Sequence, residues 1–352
     1  MVKPVLFIRA DGDSTTGMGH LMRCLSLASA WQEQGGETIF LSHSDHNFFL
    51  SQCNRLGIMV IKVETPYPHK NDLSVTLQAI KQQSSQESLL VLDGYFFDLS
   101  YQDQIRSAHI PLLVIDDNHH LSEYHADYLL NQNLGAEKIA YHINQDTKLL
   151  LGTQYTLLAP NFNEWQSWQR HIPSKAKNIL VTLGGSDPTH LTSHILNLLK
   201  DFPIKIRTIV GPMNPDLKTI KESFASLDNI EILTCVTDMP ALMSWADLIL
   251  TASGTTVWES AYMGLPAIFF VTAANQETIA KNAALQGIGI QAGSIKEPLP
   301  SHLKETLHKI INTPETRRHL SNNGRRLIDG SGAKRVVETL LDTYKTAQTS
   351  LS

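Results

Sequence analysis

The stretch Arg9-Ala10-Asp11-Gly12-Asp13-Ser14-Thr15-Thr16-Gly17-Met18-Gly19-His20-Leu21-Met22-Arg23-Cys24 connects the first apolar run of the chain to a predicted helix. Gly17 and Gly19 allow a tight turn, and His20 follows that turn directly. A loop that leaves the carboxyl end of the first parallel strand faces the ligand crevice of an open α/β sheet. The stretch therefore predicts a doubly wound α/β domain with His20 at its ligand site.

His20 is the leading candidate for chemistry in this turn. A helix N-terminus disfavours the imidazolium, so we expect a neutral ring that can accept a proton near pH 7. Asp11 and Asp13 are close enough in sequence to orient the ring or to position a ligand hydroxyl, and equally they suit ordinary turn positions. A histidine that only packs or caps the turn is the alternative interpretation.

The alternation of short apolar runs with amphipathic stretches occurs twice along the 352 residues. It predicts strands at residues 5–9, 38–42, 59–63, 89–93 and 112–115, then a connecting region at 131–152. The pattern restarts at residues 178–185 and predicts further strands at 205–210, 230–233, 248–251 and 267–271. We expect an N-terminal Rossmann-like domain (1–160) and a C-terminal one (161–332), facing one cleft, and a last helix (333–352) that can pack back on the first domain.

Composition excludes several classes of function. The net charge of −5, with both signs mixed along the chain, does not indicate a protein that binds nucleic acid or an anionic membrane. Cys24, Cys53 and Cys235 are too far apart to suggest a disulfide framework or a cysteine-rich zinc site. No segment predicts a signal peptide or a membrane span, so we expect a cytoplasmic protein.

Two loops of the second half are typical of anion binding. The stretch Leu250-Thr251-Ala252-Ser253-Gly254-Thr255-Thr256-Val257-Trp258-Glu259 places small and hydroxyl residues between a strand and a helix, which suits a phosphate or diphosphate. Thr256 and Glu259 also have the spacing of a capping box, the alternative interpretation. Gly184-Gly185-Ser186-Asp187-Pro188 is a second such loop, where Asp187 or Thr189 near a helix cap explains the sequence almost as well.

Taken together, these motifs resemble a known family. The motifs are Arg9…Asp11…Gly17-Met18-Gly19-His20…Arg23-Cys24, Leu92-Asp93-Gly94-Tyr95, Ile115-Asp116-Asp117, Asn131-Gln132-Asn133, Leu151-Gly152…Tyr155-Thr156-Leu157-Leu158, Gly184-Gly185-Ser186-Asp187-Pro188, Ser253-Gly254-Thr255-Thr256…Glu259 and Ala274-Asn275-Gln276. Over nearly the whole chain they resemble the UDP-2,4-diacetamido-2,4,6-trideoxy-β-L-altropyranose hydrolases of pseudaminic acid biosynthesis, which are similar to MurG-type proteins of the GT-B fold.

The resemblance implies a role for each matching residue. His20 would be the catalytic histidine. The sugar would be bound by Asp11, Gly17, Gly19, Tyr95, Asn275 and Gln276. The UDP would be bound by Gly184, Gly185, Ser186, Ser253, Gly254, Thr255, Thr256 and Glu259, with Glu259 on the ribose hydroxyls. Ala159 and Gly94 depart from the pattern of the family, which leaves the identity of the sugar open.

The expected reaction is attack of water at the anomeric carbon with inversion, with UDP-sugar and water as the reactants and no cofactor. Asp116 and Asp117, with His119 and His120 nearby, suit turn chemistry better than a metal site, and we expect no essential metal. The same motifs leave open a MurG-like glycosyltransferase, a UDP-sugar 2-epimerase and a non-catalytic nucleotide-sugar binding protein. They assign no oligomeric state.

Overall fold

The structure, a computed structural model, describes residues 4–12, 18–83, 87–185, 187, 189–211, 214–234, 236–294 and 302–349. The chain divides into two compact units. The N-terminal unit comprises Met1–Pro160 and Gly330–Ser352, and the C-terminal unit comprises Asn161–Asp329. Within the described ranges, no helix is both long enough and apolar enough to cross a membrane.

The described strands of the N-terminal unit form one parallel sheet. They are β1 (Val5–Ala10), β2 (Thr38–Ser42), β3 (Met59–Lys62), β4 (Ser88–Asp93), β5 (Leu112–Ile115), β6 (Tyr128–Asn131) and β7 (Lys148–Leu151). Their order is β3-β2-β1-β4-β5-β6-β7, so the chain reverses its direction of winding between β1 and β4. The helices between the strands are α1 (Gly19–Glu33), α2 (Asn47–Arg55), α3 (Lys70–Gln82) and α4 (Leu99–Ser107).

Two strands of this sheet were not predicted from the sequence. The strand β6 ends at Asn131, where the predicted connecting region (131–152) begins, and β7 lies wholly within that region. The strand β7 is at the edge of the sheet, and its burial does not alternate along Lys148–Leu151. A short edge strand without alternation gives no period-two signal, which is why the prediction was wrong there.

The C-terminal unit repeats the same winding with a second parallel sheet. Its strands are β8 (Asn178–Thr182), β9 (Lys205–Ile209), β10 (Ile230–Leu233), β11 (Leu248–Ala252), β12 (Ala267–Val271) and β13 (Ile290–Ser294). Among the described residues the order is β10-β9-β8-β11-β12-β13. Its helices are α5 (Leu191–Leu199), α6 (Leu217–Phe224), α7 (Met239–Trp245), α8 (Thr256–Tyr262), α9 (Glu277–Leu285), α10 (Leu303–Asn312) and α11 (Pro314–Leu327). The strand β13 was not predicted.

The last helix, α12 (Gly332–Thr349), belongs to the N-terminal unit. Its apolar residues Val336, Val337 and Leu340 are fully buried in the same core cluster as Leu25 and Trp31 of α1. The Trp31 indole also donates a hydrogen bond to the Pro4 carbonyl oxygen, 3.2 Å away. The helix α12 therefore completes the layer that covers one face of the first sheet.

We expect Leu340→Ala to destabilise the protein by about 2–5 kcal/mol, because it removes a fully buried side chain from the core between α1 and α12. Urea unfolding monitored by circular dichroism measures the change. The matched control is Leu285→Ala on α9, where the side chain is 74% exposed and a change within about 0.5 kcal/mol is expected. Equal midpoints for the two variants would contradict the assigned packing of α12.

Candidate functional site

The candidate site of the N-terminal unit lies where the winding of the first sheet reverses. Strands β1 and β4 are hydrogen-bonded neighbours, with Ala10 paired to Asp93 at their carboxyl ends. In open α/β sheets, ligands bind in the crevice that opens beyond such a reversal. The helix α1 begins at Gly19 above this point, so His20 lies in the first turn of α1 and not before it.

His20 is held by a buried carboxylate. Its Nδ1 is 2.6 Å from Oδ1 of Asp93, which is fully buried at the end of β4. The whole residue is only 7% exposed. Asp93 could not be predicted as the partner of His20, because it is 73 residues away in sequence and becomes adjacent only through the order of the strands.

Arg23, one turn further along α1, neutralises the same carboxylate. Its Nε donates to Oδ2 of Asp93 and its Nη2 to Oδ1, each over 2.6 Å. Burial alone would raise the pKa of Asp93, but the Arg23 guanidinium and then His20 hold that pKa well below its usual range. Asp93 is therefore an ionised carboxylate, which can only accept hydrogen bonds.

This charge state fixes the tautomer of His20. Because Asp93 can only accept, Nδ1 of a neutral His20 carries the proton and Nε2 carries the lone pair. Arg23 Nη2 lies 3.1 Å from Nδ1, but two donors cannot bond each other. Within the described part of the chain, Nε2 has no hydrogen-bond partner. The arrangement presents a histidine base oriented by a carboxylate, as in catalytic triads.

Tyr95, two residues after Asp93, packs against His20. Its ring meets the His20 ring edge-on, with the ring centroids 4.9 Å apart. The Tyr95 hydroxyl donates to Oδ1 of Asp117 over 2.6 Å, and Arg23 Nη1 donates to Oδ2 of Asp117 over 2.5 Å. Burial, reinforced by the Asp117 charge, raises the pKa of Tyr95. His20, Asp93, Arg23, Asp117 and Tyr95 thus form one connected cluster.

Asp11 follows β1 and is not the residue that orients His20. Its carboxylate accepts from Arg9 Nη2 over 2.7 Å and from the His43 backbone N–H over 2.6 Å, which ties the end of β1 to the end of β2. Gly19 begins α1, and a side chain at this position would meet open space. Gly17 and Asp13 lie outside the described residues.

The Asp116 carboxylate stabilises the turn that follows β5, as its position after a strand suggested. It accepts from the backbone N–H groups of Asn118, His119 and His120 and from the Tyr124 hydroxyl. Groups of side chains suited to hold a metal ion are absent from the described ranges.

The phosphate-type loop of the C-terminal unit lies at the corresponding reversal, between β8 and β11. Ser253 is fully buried, and both its backbone N–H and its hydroxyl donate to the Phe270 carbonyl oxygen over 2.9 Å. This side chain is therefore not free to donate to a ligand. Among the described residues, the backbone N–H groups of Gly254, Thr255 and Thr256 have no acceptor, so these three can bind an anion.

The capping-box interpretation of Thr256 and Glu259 is wrong. The helix α8 begins at Thr256, its N-cap is Thr255, and no side chain caps the helix end. Thr256 instead bonds to the Glu259 carboxyl, which lowers the pKa of that group, but burial has the larger effect and raises it to about 7. Glu259 is thus a weakly acidic group, and no ion pair of it is formed with the residues that the structure describes.

The glycine loop after β8 serves partly as a helix cap. Asp187 accepts from the backbone N–H groups of Leu191 and Thr192 over 3.1 and 2.8 Å, at the N-terminus of α5. Gly184 has a positive φ of 93°, which favours glycine, and Gly185 is exposed. Ser186 and Pro188 lie outside the described residues.

Asn275 and Gln276 follow β12, the strand beside β11, in a short 3-10 turn, Ala274–Gln276. The Asn275 side chain is exposed. The side-chain oxygen Oε1 of Gln276 accepts from the backbone N–H and the hydroxyl of Thr272 over 3.0 and 3.1 Å. This leaves the NH2 group of the Gln276 side chain to donate.

We expect neutral His20 to carry its proton on Nδ1, because ionised Asp93 accepts from that nitrogen. Long-range 1H–15N NMR spectra of the neutral ring distinguish the two nitrogens. In Asp93→Ala the Nδ1–H preference should be lost, whereas Asp103→Ala, which removes the partner of exposed His125, should leave the His20 signals unchanged. A wild-type ring protonated on Nε2 would contradict the geometry.

Comparison with known proteins covers both units of the chain. Residues 178–339 match the glycosyltransferase family 28 C-terminal domain. An uncharacterized protein of Methanocaldococcus jannaschii is 29% identical over 275 residues, covering 74% of this chain. The chain spans only 54% of the length of that relative.

Two further relatives match over most of their own lengths. The spore coat polysaccharide biosynthesis protein SpsG of Bacillus subtilis is 26% identical over 344 residues, which cover 96% of this chain and 98% of SpsG. The UDP-2,4-diacetamido-2,4,6-trideoxy-beta-L-altropyranose hydrolase of Campylobacter jejuni is 26% identical over 297 residues, which cover 82% of this chain and 98% of the hydrolase.

Solved structures agree on the fold. MurG of Acinetobacter baumannii superposes with a TM-score of 0.64 at 16% identity, covering 97% of this chain and 99% of MurG. MnaA of S. aureus, solved with UDP, gives a TM-score of 0.69 at 12% identity, covering 98% and 97% of the two chains. The comparisons confirm that this chain has a GT-B-like fold of two parallel α/β domains and that it resembles the UDP-2,4-diacetamido-2,4,6-trideoxy-β-L-altropyranose hydrolases.

Proposed function

We propose that this protein is a nucleotide-sugar hydrolase that releases UDP from a UDP-diacetamido-trideoxy-hexose, either UDP-2,4-diacetamido-2,4,6-trideoxy-β-L-altropyranose or a close relative. The named relatives support the class of substrate. The observation that carries the reaction type is the His20–Asp93 pair, which leaves Nε2 of His20 as an oriented base. A base of this kind suits proton removal from water.

In the proposed reaction, Nε2 of His20 takes a proton from water as the water oxygen bonds to C1 of the sugar. The bond between C1 and the UDP oxygen breaks, and its electron pair leaves with the diphosphate. Attack on the face opposite UDP inverts the configuration at C1. The imidazolium formed at His20 is stabilised by Asp93, whose charge is already in place.

We assign the UDP to the C-terminal unit. The free N–H groups of Gly254, Thr255 and Thr256 suit the diphosphate oxygens, and Glu259 suits the ribose hydroxyls. Gly184, Gly185 and Ser186 are further proposed UDP contacts, and Ser253 supports the loop through its bonds to Phe270. Asn275 and Gln276 are proposed sugar contacts, together with Asp11, Gly17, Gly19 and Tyr95. The proposal requires no metal.

The direct test is incubation with a panel of UDP-diacetamido-sugars in buffer containing EDTA, followed by 1H and 31P NMR. The proposal expects UDP and free sugar to appear with water as the only acceptor. Release of UDP only when a sugar or lipid acceptor is added would indicate a glycosyltransferase instead. Solvent deuterium at C2 would indicate an epimerase, and binding without turnover of any sugar would indicate a binding protein.

His20→Asn should lower turnover by about 10²- to 10⁴-fold, the usual contribution of a positioned base, while UDP affinity stays nearly unchanged. Asp93→Asn should lower turnover by up to about 10⁴-fold, because the tautomer of His20 is no longer fixed. Steady-state kinetics and calorimetric titration with UDP separate the two effects. Asp103→Asn, at the exposed Asp103–His125 pair, is the matched control and should retain activity. Full activity in His20→Asn would refute the assignment.

Glu259 should make substrate binding depend on pH. Burial raises its pKa to about 7, and ribose hydroxyls donate to the ionised form, so binding favours loss of the proton. The affinity for a UDP-sugar should therefore rise as pH increases to about 7 and fall by up to about tenfold per unit below it. A UDP-sugar is the correct probe, because the terminal phosphate of free UDP itself titrates near neutrality. Glu259→Gln should abolish this dependence, and an unchanged profile would contradict the role.

A further inference from the structure

The hydroxyl of Tyr95 has a fixed polarity. A phenol has one proton to donate, and the Tyr95 hydroxyl donates it to Oδ1 of Asp117 over 2.6 Å. The other oxygen of Asp117 is paired with Arg23 Nη1 at 2.5 Å, so both oxygens of this carboxylate are engaged as acceptors. The Asp117 side chain is only 14% exposed, which restricts competition from water.

This bond leaves the Tyr95 oxygen with lone pairs and no proton to offer a ligand. The group is therefore an acceptor that selects a donor on the substrate. The phenol also stays protonated, because burial and the Asp117 charge both raise its pKa. The Tyr95 ring contacts the His20 ring, so the two side chains are neighbours. If His20 activates the water that attacks C1, as proposed above, the Tyr95 side chain faces the same part of the sugar, C1 and its neighbour C2.

We propose that Tyr95, held by Asp117, determines specificity by accepting a hydrogen bond from the amide N–H at C2 of the sugar, the donor nearest to the reacting carbon. This inference rests on the proposed function and identifies which feature of the substrate the site reads. Asp117 acts as a positioning residue, because it touches Tyr95 and Arg23 and sets the direction of the Tyr95 proton.

The geometry also specifies what Asp117→Asn does. Arg23 Nη1 can only donate, so the amide oxygen of the new side chain must face Arg23. Its NH2 group then faces Tyr95 and donates to the phenol oxygen. The phenol proton is released from its bond and points towards the substrate. The substitution therefore inverts Tyr95 from an acceptor to a donor without changing the size of any side chain.

The test compares the UDP-2,4-diacetamido-sugar with its 2-O-acetyl analogue, which replaces the N–H at C2 by an oxygen acceptor. The wild type should prefer the amide by roughly 10-fold in kcat/KM, because the ester loses one hydrogen bond and leaves the Tyr95 oxygen without a donor. Tyr95→Phe should reduce this ratio to near unity, and Asp117→Asn should reverse it in favour of the ester. Retention of the wild-type ratio in either variant would overturn the proposal.

The control variant is Tyr124→Phe, which removes the hydroxyl of a second tyrosine that donates to a carboxylate, Asp116. It should leave the amide-to-ester ratio unchanged, and circular dichroism should confirm folding of all variants. The two proposals are separated by measuring the same amide-to-ester ratio as a ratio of binding affinities, by calorimetry, in the His20→Asn background. If no UDP-sugar is hydrolysed but Tyr95→Phe and Asp117→Asn shift this binding ratio as described above, the hydrolase proposal fails and the Tyr95 inference stands.

Discussion

The candidate site of the N-terminal unit depends on one buried carboxylate. Asp93 at the end of β4 accepts from His20 and from two nitrogens of Arg23, and it has no exposed surface. A buried charge is costly unless it is paired and hydrogen-bonded, and Arg23 meets that requirement. Since His20 and Arg23 lie on the first turns of α1, the same pairing fixes how α1 sits above the sheet. Arg23 also donates to Asp117, which accepts from the Tyr95 hydroxyl, so Arg23 links Asp93 to both residues.

The two units share one architecture, but their candidate sites suit different chemistry. In each, the sheet reverses its winding between two central strands, β1 and β4 in the first unit and β8 and β11 in the second. The N-terminal unit fills this place with a charged network around His20. In the described part of the C-terminal unit, the backbone N–H groups of Gly254, Thr255 and Thr256 lie at this place without an acceptor, and the Ser253 hydroxyl bonds to the Phe270 carbonyl oxygen. One place suits proton transfer and the other suits an anion.

Much of this arrangement could be predicted from the sequence because its signals are local. Apolar runs predicted most of the central strands, and the turn before α1 indicated His20. The partner of His20 was missed because the pairing of β1 with β4 follows from sheet topology, not from spacing in the chain. Ser253 was assigned to the ligand because residue type does not reveal where a hydroxyl points. The edge strand β7 was missed because its residues do not alternate in burial.

In the proposed reaction, water activated at Nε2 of His20 attacks the anomeric carbon and not the phosphorus. Hydrolysis of the UDP-diacetamido-sugar in H₂¹⁸O, with mass spectrometry of both products, distinguishes the two sites of attack. Attack at carbon puts ¹⁸O on C1 of the sugar and leaves UDP unlabelled. Label in the terminal phosphate of UDP would mean attack at phosphorus and would refute the proposed reaction.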